Sequence, residues 1–216
     1  MTGSDYKLPC LDSVQQRALR IVKGTATFKD RFVPEHETLV KLISTLRSMG
    51  CVIGFTTGVW DLFHLGHPEY IQRGKDETVK CYPDADHVIM VVGVDTDEMT
   101  RLRKGPGRPI VPQDERVRVL SHVRAVDLIT LQYEPDQLFK VVEHDVRVVS
   151  TSTKDLPMLD LIQSRCAHVV NLPPQAETST TARVRQLMLE GRTGMFKSVK
   201  EKFLEMLNEM ERNLEN

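Results

Sequence analysis

Short apolar runs alternate with amphipathic helical patterns along most of this chain of 216 residues. The longest run, residues 87–94, is apolar at nearly every position, as a parallel strand covered on both faces should be. The pattern predicts further strands at residues 51–53, 125–131, 146–149 and 168–172. Strands that alternate with helices indicate βαβ units. The chain is therefore predicted to be an α/β protein built on a parallel sheet.

Helical periodicity places the predicted helices at residues 14–22, 34–49, 68–75, 114–123, 138–143 and 156–165. We expect a loop at residues 23–33 and a polar interruption at residues 76–86. Residues 1–49 are then a helical N-terminal extension, and residues 50–193 form the main domain.

The last segment, residues 194–216, is predicted to be an amphipathic C-terminal helix. Its apolar stripe consists of Phe196, Val199, Phe203, Met206, Leu207, Met210 and Leu214. The stripe predicts docking either on the domain itself or on a second copy of the chain, as in a homodimer. The opposite face mixes lysine with glutamate, which argues against a role at a membrane surface.

Composition narrows the class of protein. The chain has 29 basic and 30 acidic residues and a formal net charge of −1, so no general attraction draws it to nucleic acid or to an anionic membrane. It shows no leader-like apolar segment at the N-terminus and no apolar run of about 18 residues. The four cysteines have no Cys-x-x-Cys spacing. We therefore expect a cytoplasmic protein with no nucleic-acid or membrane partner.

The first predicted strand runs into a turn that carries two glycines and two histidines. Gly58 and Gly66 allow the backbone to approach a bound group without interference from a Cβ atom. The helix that follows directs unpaired N–H groups at the same place, which favours a phosphate. His64 and His67 can donate hydrogen bonds to phosphate oxygens, more strongly when they are protonated. A His-x-x-His pair alone is more often a polar surface feature or half of a metal site.

The whole string from Gly58 to His67, directly after a strand, resembles the signature of the cytidylyltransferase-like nucleotidyltransferases. The resemblance implies a nucleotidyltransferase domain at residues 50–193. It also implies an α/β, Rossmann-like fold with a doubly wound parallel sheet, of the nucleotidylyl transferase type. It also implies that His64 and His67 grip a triphosphate and stabilise the transition state at the α-phosphorus. The implied nucleotide-binding residues in this region are Thr56, Thr57, Gly58, Asp61, His64, Gly66 and His67.

A basic, glycine-rich segment at residues 101–110 is the second candidate. On composition alone, a solvated surface loop is the simpler interpretation. Read together with residues 112–127, the segment resembles the nucleotidyltransferase domain of bifunctional heptose-phosphate kinase/adenylyltransferases. The resemblance implies substrate-facing roles for Lys104, Arg116 and Arg124, with Lys104 and Arg124 in the catalytic set. We expect Asp127 to hold Arg124.

The third candidate is a run of hydroxyl residues, Ser179, Thr180 and Thr181, just before a predicted helix. Such a run is commonly only an N-cap, although it can also bind phosphate. After a strand and two prolines, it resembles the family's Ile-Ser-Thr-Thr-x-Ile signature, which implies binding of the β- and γ-phosphates. The chain departs from that signature at Thr178 and Arg183.

A larger departure follows the strand predicted at residues 146–149. The heptose-phosphate enzymes carry Lys-Gly-Gly-Asp after this strand, whereas this chain has no such string, and Lys154 is the nearest lysine. Lys154 is therefore assigned to substrate binding from a shifted position. The sequence does not establish a heptose pocket.

The resulting hypothesis is attack by a phosphomonoester oxygen on the α-phosphorus of a nucleoside triphosphate, with release of pyrophosphate. ATP is the preferred donor, and CTP acting on glycerol phosphate, phosphoethanolamine or a similar phosphate is the alternative. Mg²⁺ is the expected cofactor, bridging triphosphate oxygens mostly through water, with no protein residue assigned as a ligand. Two other hypotheses stay open: a non-catalytic nucleotide-binding protein, and metal-dependent hydrolysis that uses His64, His67 and Asp61.

Overall fold

The computed structural model describes residues 12–151 and 166–173, and residues 197, 198, 200–202 and 204 of a further helical stretch. The chain divides into two compact units, Met1–Gln175 and Ala176–Asn216. The predicted boundaries at residues 49 and 193 stay predictions. The helix predicted at 156–165 lies outside the described residues.

Five parallel strands form one sheet in the order β3-β2-β1-β4-β5. They are β1 Val52–Gly58, β2 Val88–Asp95, β3 Leu128–Gln132, β4 Val146–Ser150 and β5 His168–Leu172. The strand order reverses between β1 and β4, and in such sheets ligands bind outside the carboxyl ends of the strands at that reversal. The predicted Rossmann-like α/β fold is confirmed. The first strand is longer than predicted and leads directly into residues 59–67, which carry His64 and His67 and are called the histidine turn below.

The helices are α1 Ser13–Val22, α2 Phe28–Arg31, α3 His36–Ser48, α4 Gly66–Cys81, α5 Asp97–Lys104, α6 Gln113–Ser121 and α7 Gln137–Val141. α1 begins at a capping box, in which Asp12 Oδ1 accepts from the Gln15 N–H at 2.7 Å and the Gln15 side chain accepts from the Asp12 N–H. Among the described residues, no helix is both long and apolar enough to cross a membrane.

Helices cover both faces of the sheet. On one face, α1, α3 and α7 pack against β1, β2 and β3 around Ala18, Ile21, Leu39, Leu42, Leu46, Phe55, Val91, Leu128 and Leu138. On the other face, α4 and α6 pack against β2 to β5 around Ile71, Met90, Val92, Val117, Leu120, Ile129, Val146 and Val148. The N-terminal helices therefore contribute directly to one of the two cores. Their apolar side chains replace water on a sheet face that would otherwise be exposed.

Two segments predicted to be irregular contain helix. Residues 23–33 include α2, where the Asp30 carboxylate accepts from the N–H and hydroxyl groups of Thr27, both at 2.9 Å. The polar interruption predicted at residues 76–86 is wrong in its first half, because α4 continues to Cys81. Inside α4, the Thr78 hydroxyl is fully buried and donates to the Gly74 carbonyl oxygen at 2.8 Å. In both segments the polar residues suggest a loop. The segments are nevertheless helical, because their buried polar side chains form hydrogen bonds within the helix or at its N-terminus.

The basic segment predicted as a loop at residues 101–110 is helical in its first four residues, which belong to α5. Thr96 caps this helix by accepting from the Met99 N–H at 3.1 Å. Gly105 ends it with φ at 94°, a backbone conformation that favours glycine. Only the remainder of the predicted loop, from Gly105 onward, is irregular.

Candidate active site

The turn that follows β1 holds two residues in the left-handed backbone region. Trp60 has φ of 58° and Leu62 has φ of 44°, on either side of Asp61. The Trp60 indole N–H donates to the Gly93 carbonyl oxygen at 2.9 Å, which anchors the turn to β2. Gly58 leaves room for this indole, because a Cβ there would lie 3.0 Å from Trp60 Cε2. Strained non-glycine backbone of this kind is concentrated at functional sites.

His64 and His67 lie side by side at the start of α4, with ring centroids 4.1 Å apart. His64 Nδ1 accepts from the Gly66 N–H at 3.2 Å, and His67 Nδ1 accepts from the His64 N–H at 3.3 Å. An accepting Nδ1 carries no hydrogen, so each neutral ring carries its hydrogen on Nε2. Trp60 and Phe63 pack against His67, with ring centroids at 5.6 and 5.1 Å. The turn therefore sets the tautomer and orientation of both imidazoles.

His67 is uncharged at neutral pH in this structure. Burial, followed by the charge of His64, lowers the pKa of His67 to about 4. Lys104 also lowers this pKa, whereas Asp61 raises it. A neutral imidazole with hydrogen on Nε2 donates one hydrogen bond, and a bound phosphate would favour its protonation. The pair can thus act as donors to an anion.

The Asp61 carboxylate ties the basic segment to the histidine turn. It accepts from the Ile110 N–H at 3.0 Å, from the Val111 N–H at 2.9 Å and from Arg108 Nη1 at 2.9 Å. Burial alone would raise the pKa of Asp61, but these donors hold it below its usual value. Asp61 is only 7% exposed. In this structure it therefore positions the basic segment, and its predicted contact with a nucleotide stays a prediction.

Lys104 shares an electrostatic environment with the histidines. Desolvation and the charge of Arg103 lower the pKa of Lys104, which is an exposed residue, and the charge of Lys104 in turn acts on His67. Arg103 is held in place by Asp95, whose Oδ2 accepts from Arg103 Nη1 at 2.9 Å. Asp95 is fully buried and also accepts from Gln132 Nε2 at 2.9 Å. The end of β2 thus supports α5, and α5 brings Lys104 to the site.

Arg116 is 1% exposed and braces three segments from within the protein. Its guanidinium donates to the carbonyl oxygens of Val59, of Asp95 at 2.9 Å and of Val111 at 2.9 Å. It also pairs with Asp97 Oδ1 at 2.7 Å. The structure therefore gives Arg116 a positioning function under the histidine turn, and its predicted contact with substrate stays a prediction.

The strand residues assigned to the nucleotide point to opposite faces of β1. Thr56 is buried and its hydroxyl lies 3.3 Å from that of Tyr70 on α4. Thr57 points to the other face, where its Oγ1 accepts from Arg147 Nη2 at 3.0 Å. Arg147 lies in β4 and is absent from the residues predicted from the sequence, although an arginine inside an apolar strand is itself an unusual feature. Gly58 ends the strand and directly precedes the histidine turn.

Arg124 is not brought to this site. It is exposed in the connection between α6 and β3, at the amino end of a strand, whereas the histidines follow the carboxyl end of β1. The expectation that Asp127 holds it is wrong: Asp127 Oδ2 accepts from Lys75 Nζ at 2.6 Å and from the Met90 N–H at 2.7 Å. A role for Arg124 at the transferred phosphate gains no support from this placement.

The remaining candidates lie outside the described residues: Lys154, Ser179, Thr180 and Thr181. Their predicted contacts stay predictions. Within the part of the chain that the structure describes, no group of three or more His, Cys, Asp and Glu side chains is arranged to hold a metal ion. Among the described residues, the site therefore consists of the paired imidazoles of the histidine turn with cationic neighbours.

Comparison with known families decides what kind of protein carries this site. The cytidylyltransferase-like family model matches residues 55–182, more than half of the chain. The chain belongs to the cytidylyltransferase-like family. It is therefore a nucleotidyltransferase, and the predicted resemblance is confirmed. The matched range contains the histidine turn, the Asp61 contacts and the basic segment.

Curated relatives in this family are named bifunctional protein HldE. The chain is 32% identical over 161 residues to that of a Nitratiruptor species, a match that covers 73% of this chain and 32% of the relative. It is 30% identical over 176 residues to that of Ectopseudomonas mendocina, covering 80% of this chain and 34% of the relative. The chain thus spans about a third of the length of the curated relatives it matches. These matches confirm the predicted relationship to bifunctional proteins.

Among solved structures, the chain is similar to the lipopolysaccharide core biosynthesis protein from Thermoplasma volcanium. Its TM-score is 0.44 and its sequence identity 24%, over 59% of this chain and 98% of that one.

Proposed function

We propose that this nucleotidyltransferase transfers AMP from ATP to a small phosphomonoester such as a sugar phosphate. A phosphate oxygen of the acceptor attacks the α-phosphorus and forms a new P–O bond. The bond between the α-phosphorus and the bridging oxygen breaks, and that oxygen leaves with pyrophosphate. No protein nucleophile is needed, so the protein contributes positioning and charge neutralisation.

The observation that carries this proposal is the pair of imidazoles in the histidine turn. Two Nε2–H donors set by the local backbone, one just before α4 and one in its first turn, suit the oxygens of a polyphosphate. His64 and His67 would contact the α- and β-phosphates and stabilise the charge that develops at the α-phosphorus. Because the hydrogen bonds of Trp60 and Asp61 anchor the turn, little reorganisation would be needed at the transition state.

Lys104 is the proposed cation for the incoming phosphomonoester, since its charge already acts on His67. Arg116 would support the site by bracing the turn beneath it. Ser179, Thr180 and Thr181 are proposed for the β- and γ-phosphates, and Lys154 for the acceptor, on the family resemblance alone.

Mg²⁺ is proposed as the accompanying cation. As an oxygen-seeking ion that keeps several waters, it would be held mainly by triphosphate oxygens and water. When bound, the ion would reduce the negative charge on the phosphates.

The proposal is tested by measuring pyrophosphate release with ATP, CTP, GTP and UTP. Each nucleotide is paired with a sugar phosphate, glycerol phosphate, phosphoethanolamine, FMN and nicotinamide mononucleotide. We expect ATP with one acceptor to release pyrophosphate, and no release without acceptor. CTP as the preferred donor would replace ATP in the proposal. Nucleotide binding without pyrophosphate release in any pair would establish a non-catalytic nucleotide-binding protein. Hydrolysis of the nucleotide that needs a transition metal but no acceptor would establish metal-dependent hydrolysis.

A homodimer is proposed from the apolar stripe of the C-terminal helix. Within that stretch, the described residues 197, 198, 200–202 and 204 are helical and exposed. Sedimentation equilibrium at micromolar concentration should give the mass of two chains. The mass of one chain would contradict the proposal.

A further inference from the structure

Arg147 lies in the strand that faces β1 across the reversal of the sheet order. It is directly opposite Phe55 in the register of β1 and β4, and its guanidinium carbon lies 4.4 Å from the centroid of the Phe55 ring. From there the side chain reaches toward the carboxyl end of β1, where Nη2 donates to Thr57 Oγ1 at 3.0 Å. Thr57 is the residue before Gly58, with which the strand ends. The guanidinium is thus held at the ligand-binding end of the sheet.

Within the described part of the chain, most of the N–H donors of this guanidinium have no acceptor. Arg147 Nε and Nη1 are buried, and neither hydrogen bonds to any residue of the described part of the chain. These two atoms carry three of the five N–H donors of an arginine side chain. Buried polar groups in folded proteins are nearly always satisfied, so an exception calls for a partner other than these residues.

The charge of Arg147 is also unbalanced. Burial lowers its pKa to about 10, so the side chain is still cationic at neutral pH. Among the described residues it forms no salt bridge, and the carboxylate whose charge acts on it is that of Asp136, which is exposed. The Phe55 ring face offers partial compensation. A buried charge without a counter-ion is costly, and an anion would remove that cost.

We propose that Arg147 is the cation of a second anion-binding site, at the junction of β1 and β4, which takes a phosphate or carboxylate group of the acceptor. The assignment to the acceptor rests on the proposed function, in which the histidine turn after Gly58 takes the nucleotide. Thr57 orients the guanidinium, and the donors on Nε and Nη1 meet the oxyanion. Arginine suits this task because its planar fork matches carboxylate and phosphate oxygens.

The test uses the full chain with inorganic phosphate, acetate and ATP as separate probes, each compared with sodium chloride at equal ionic strength. The Nε–H resonance of Arg147, identified by its loss in Arg147→Lys, should shift saturably with phosphate or with acetate. The probe that gives the tighter response identifies the anionic group. In Arg147→Met, we expect the affinity for that probe to fall at least about tenfold.

The matched control is Arg118→Met, because Arg118 also lies over a phenylalanine ring, Phe28, at 4.8 Å, but is exposed. It should leave anion affinity unchanged. Without anion, the melting temperature of Arg147→Met should equal or exceed that of the wild type, since an unpaired buried charge has been removed. A lower melting temperature with unchanged anion affinity would identify a purely structural arginine and overturn the proposal.

Two further outcomes would also overturn it. An Nε–H resonance that responds to none of the three probes would exclude an anion site. A response to ATP alone would assign Arg147 to the nucleotide instead of the acceptor. None of these measurements requires turnover, so failure of the pyrophosphate assay and failure of this inference are distinguishable.

Discussion

Asp61 and Arg108 lie 47 residues apart in the sequence and are joined by a hydrogen bond of 2.9 Å between the carboxylate Oδ2 and Nη1. The same carboxylate also accepts from the backbone N–H groups of Ile110 and Val111 in the basic segment and of Leu62 in the turn. The histidine turn and the basic segment are therefore one structural unit. If the basic segment moves away from the histidines, its hydrogen bonds to the buried Asp61 carboxylate must break.

We expect Asp61→Asn to loosen this unit. The variant loses the charge and presents an amide group to donors that need an acceptor, so the free energy of unfolding should fall by about 1–3 kcal/mol. Hydrogen exchange at the Ile110 and Val111 amides should become faster than in the wild type. The control is Asp76→Asn on α4, where the carboxylate accepts from the Gln72 side chain at an exposed position. Unchanged exchange at both amides would contradict the role given to Asp61.

The imidazole pair predicts a large kinetic effect. His67→Ala removes one oriented donor at the proposed α-phosphate site, and the rate of pyrophosphate release should fall by at least about 10²-fold. His122→Ala removes an exposed imidazole at the end of α6 and should leave the rate unchanged. Activity of His67→Ala within about tenfold of wild type would defeat the assignment of this residue.

The pH dependence of stability tests the environment of His67. Its pKa of about 4 in the folded chain lies below the ordinary value of 6.5, so the unfolded chain binds more protons between these values. The free energy of unfolding should therefore decrease as the pH falls from about 6.5 to about 4. His144, whose pKa burial also lowers to about 4, contributes in the same window. Replacement of His67 with Gln should reduce the slope without abolishing it.

Proton NMR of the His67 ring measures the pKa of this one residue directly. We expect an apparent pKa well below the ordinary 6.5 in the free chain and an increase when ATP binds, because phosphate charge favours the imidazolium form. A midpoint near 6.5 in the free chain would show that the ring is not buried as described.

Arg116 offers a test between bracing and substrate binding. Lysine keeps the charge but cannot reach the Val59, Asp95 and Val111 carbonyl oxygens together with Asp97. Arg116→Lys should therefore lower the free energy of unfolding by about 2–4 kcal/mol in the absence of any ligand. The control, Arg118→Lys, changes an exposed arginine of the same helix. Wild-type stability with an altered acceptor KM would favour the role predicted from the sequence.

Several structural features can be predicted from the sequence alone because they depend only on residues that are close together in the chain. The apolar run at residues 87–94 predicts a strand buried on both faces, and β2 is such a strand. The spacing of apolar residues at 34–49 predicts α3, whose Leu39, Leu42 and Leu46 are fully buried. The placement of His64 and His67 between a strand and a helix needs only the signature and its neighbours. Hydrophobic periodicity indicates which side of a helix or strand is buried, so the buried side can be predicted from the sequence alone.

Side-chain partners were decided by the tertiary structure. The sequence predicts that Arg124 and Arg116 both face the substrate. In the structure, Arg124 is exposed at the amino end of the sheet, whereas Arg116 is buried under the histidine turn. Arg147 becomes a candidate only when β4 pairs with β1, which brings it to Thr57 from 90 residues away. Such partners depend on strand order and on which crossovers meet at one edge. No local pattern of hydrophobic and polar residues encodes that order. For this reason the phosphate-binding chemistry of the histidine turn could be predicted from the sequence, whereas the side chains that surround the turn could not.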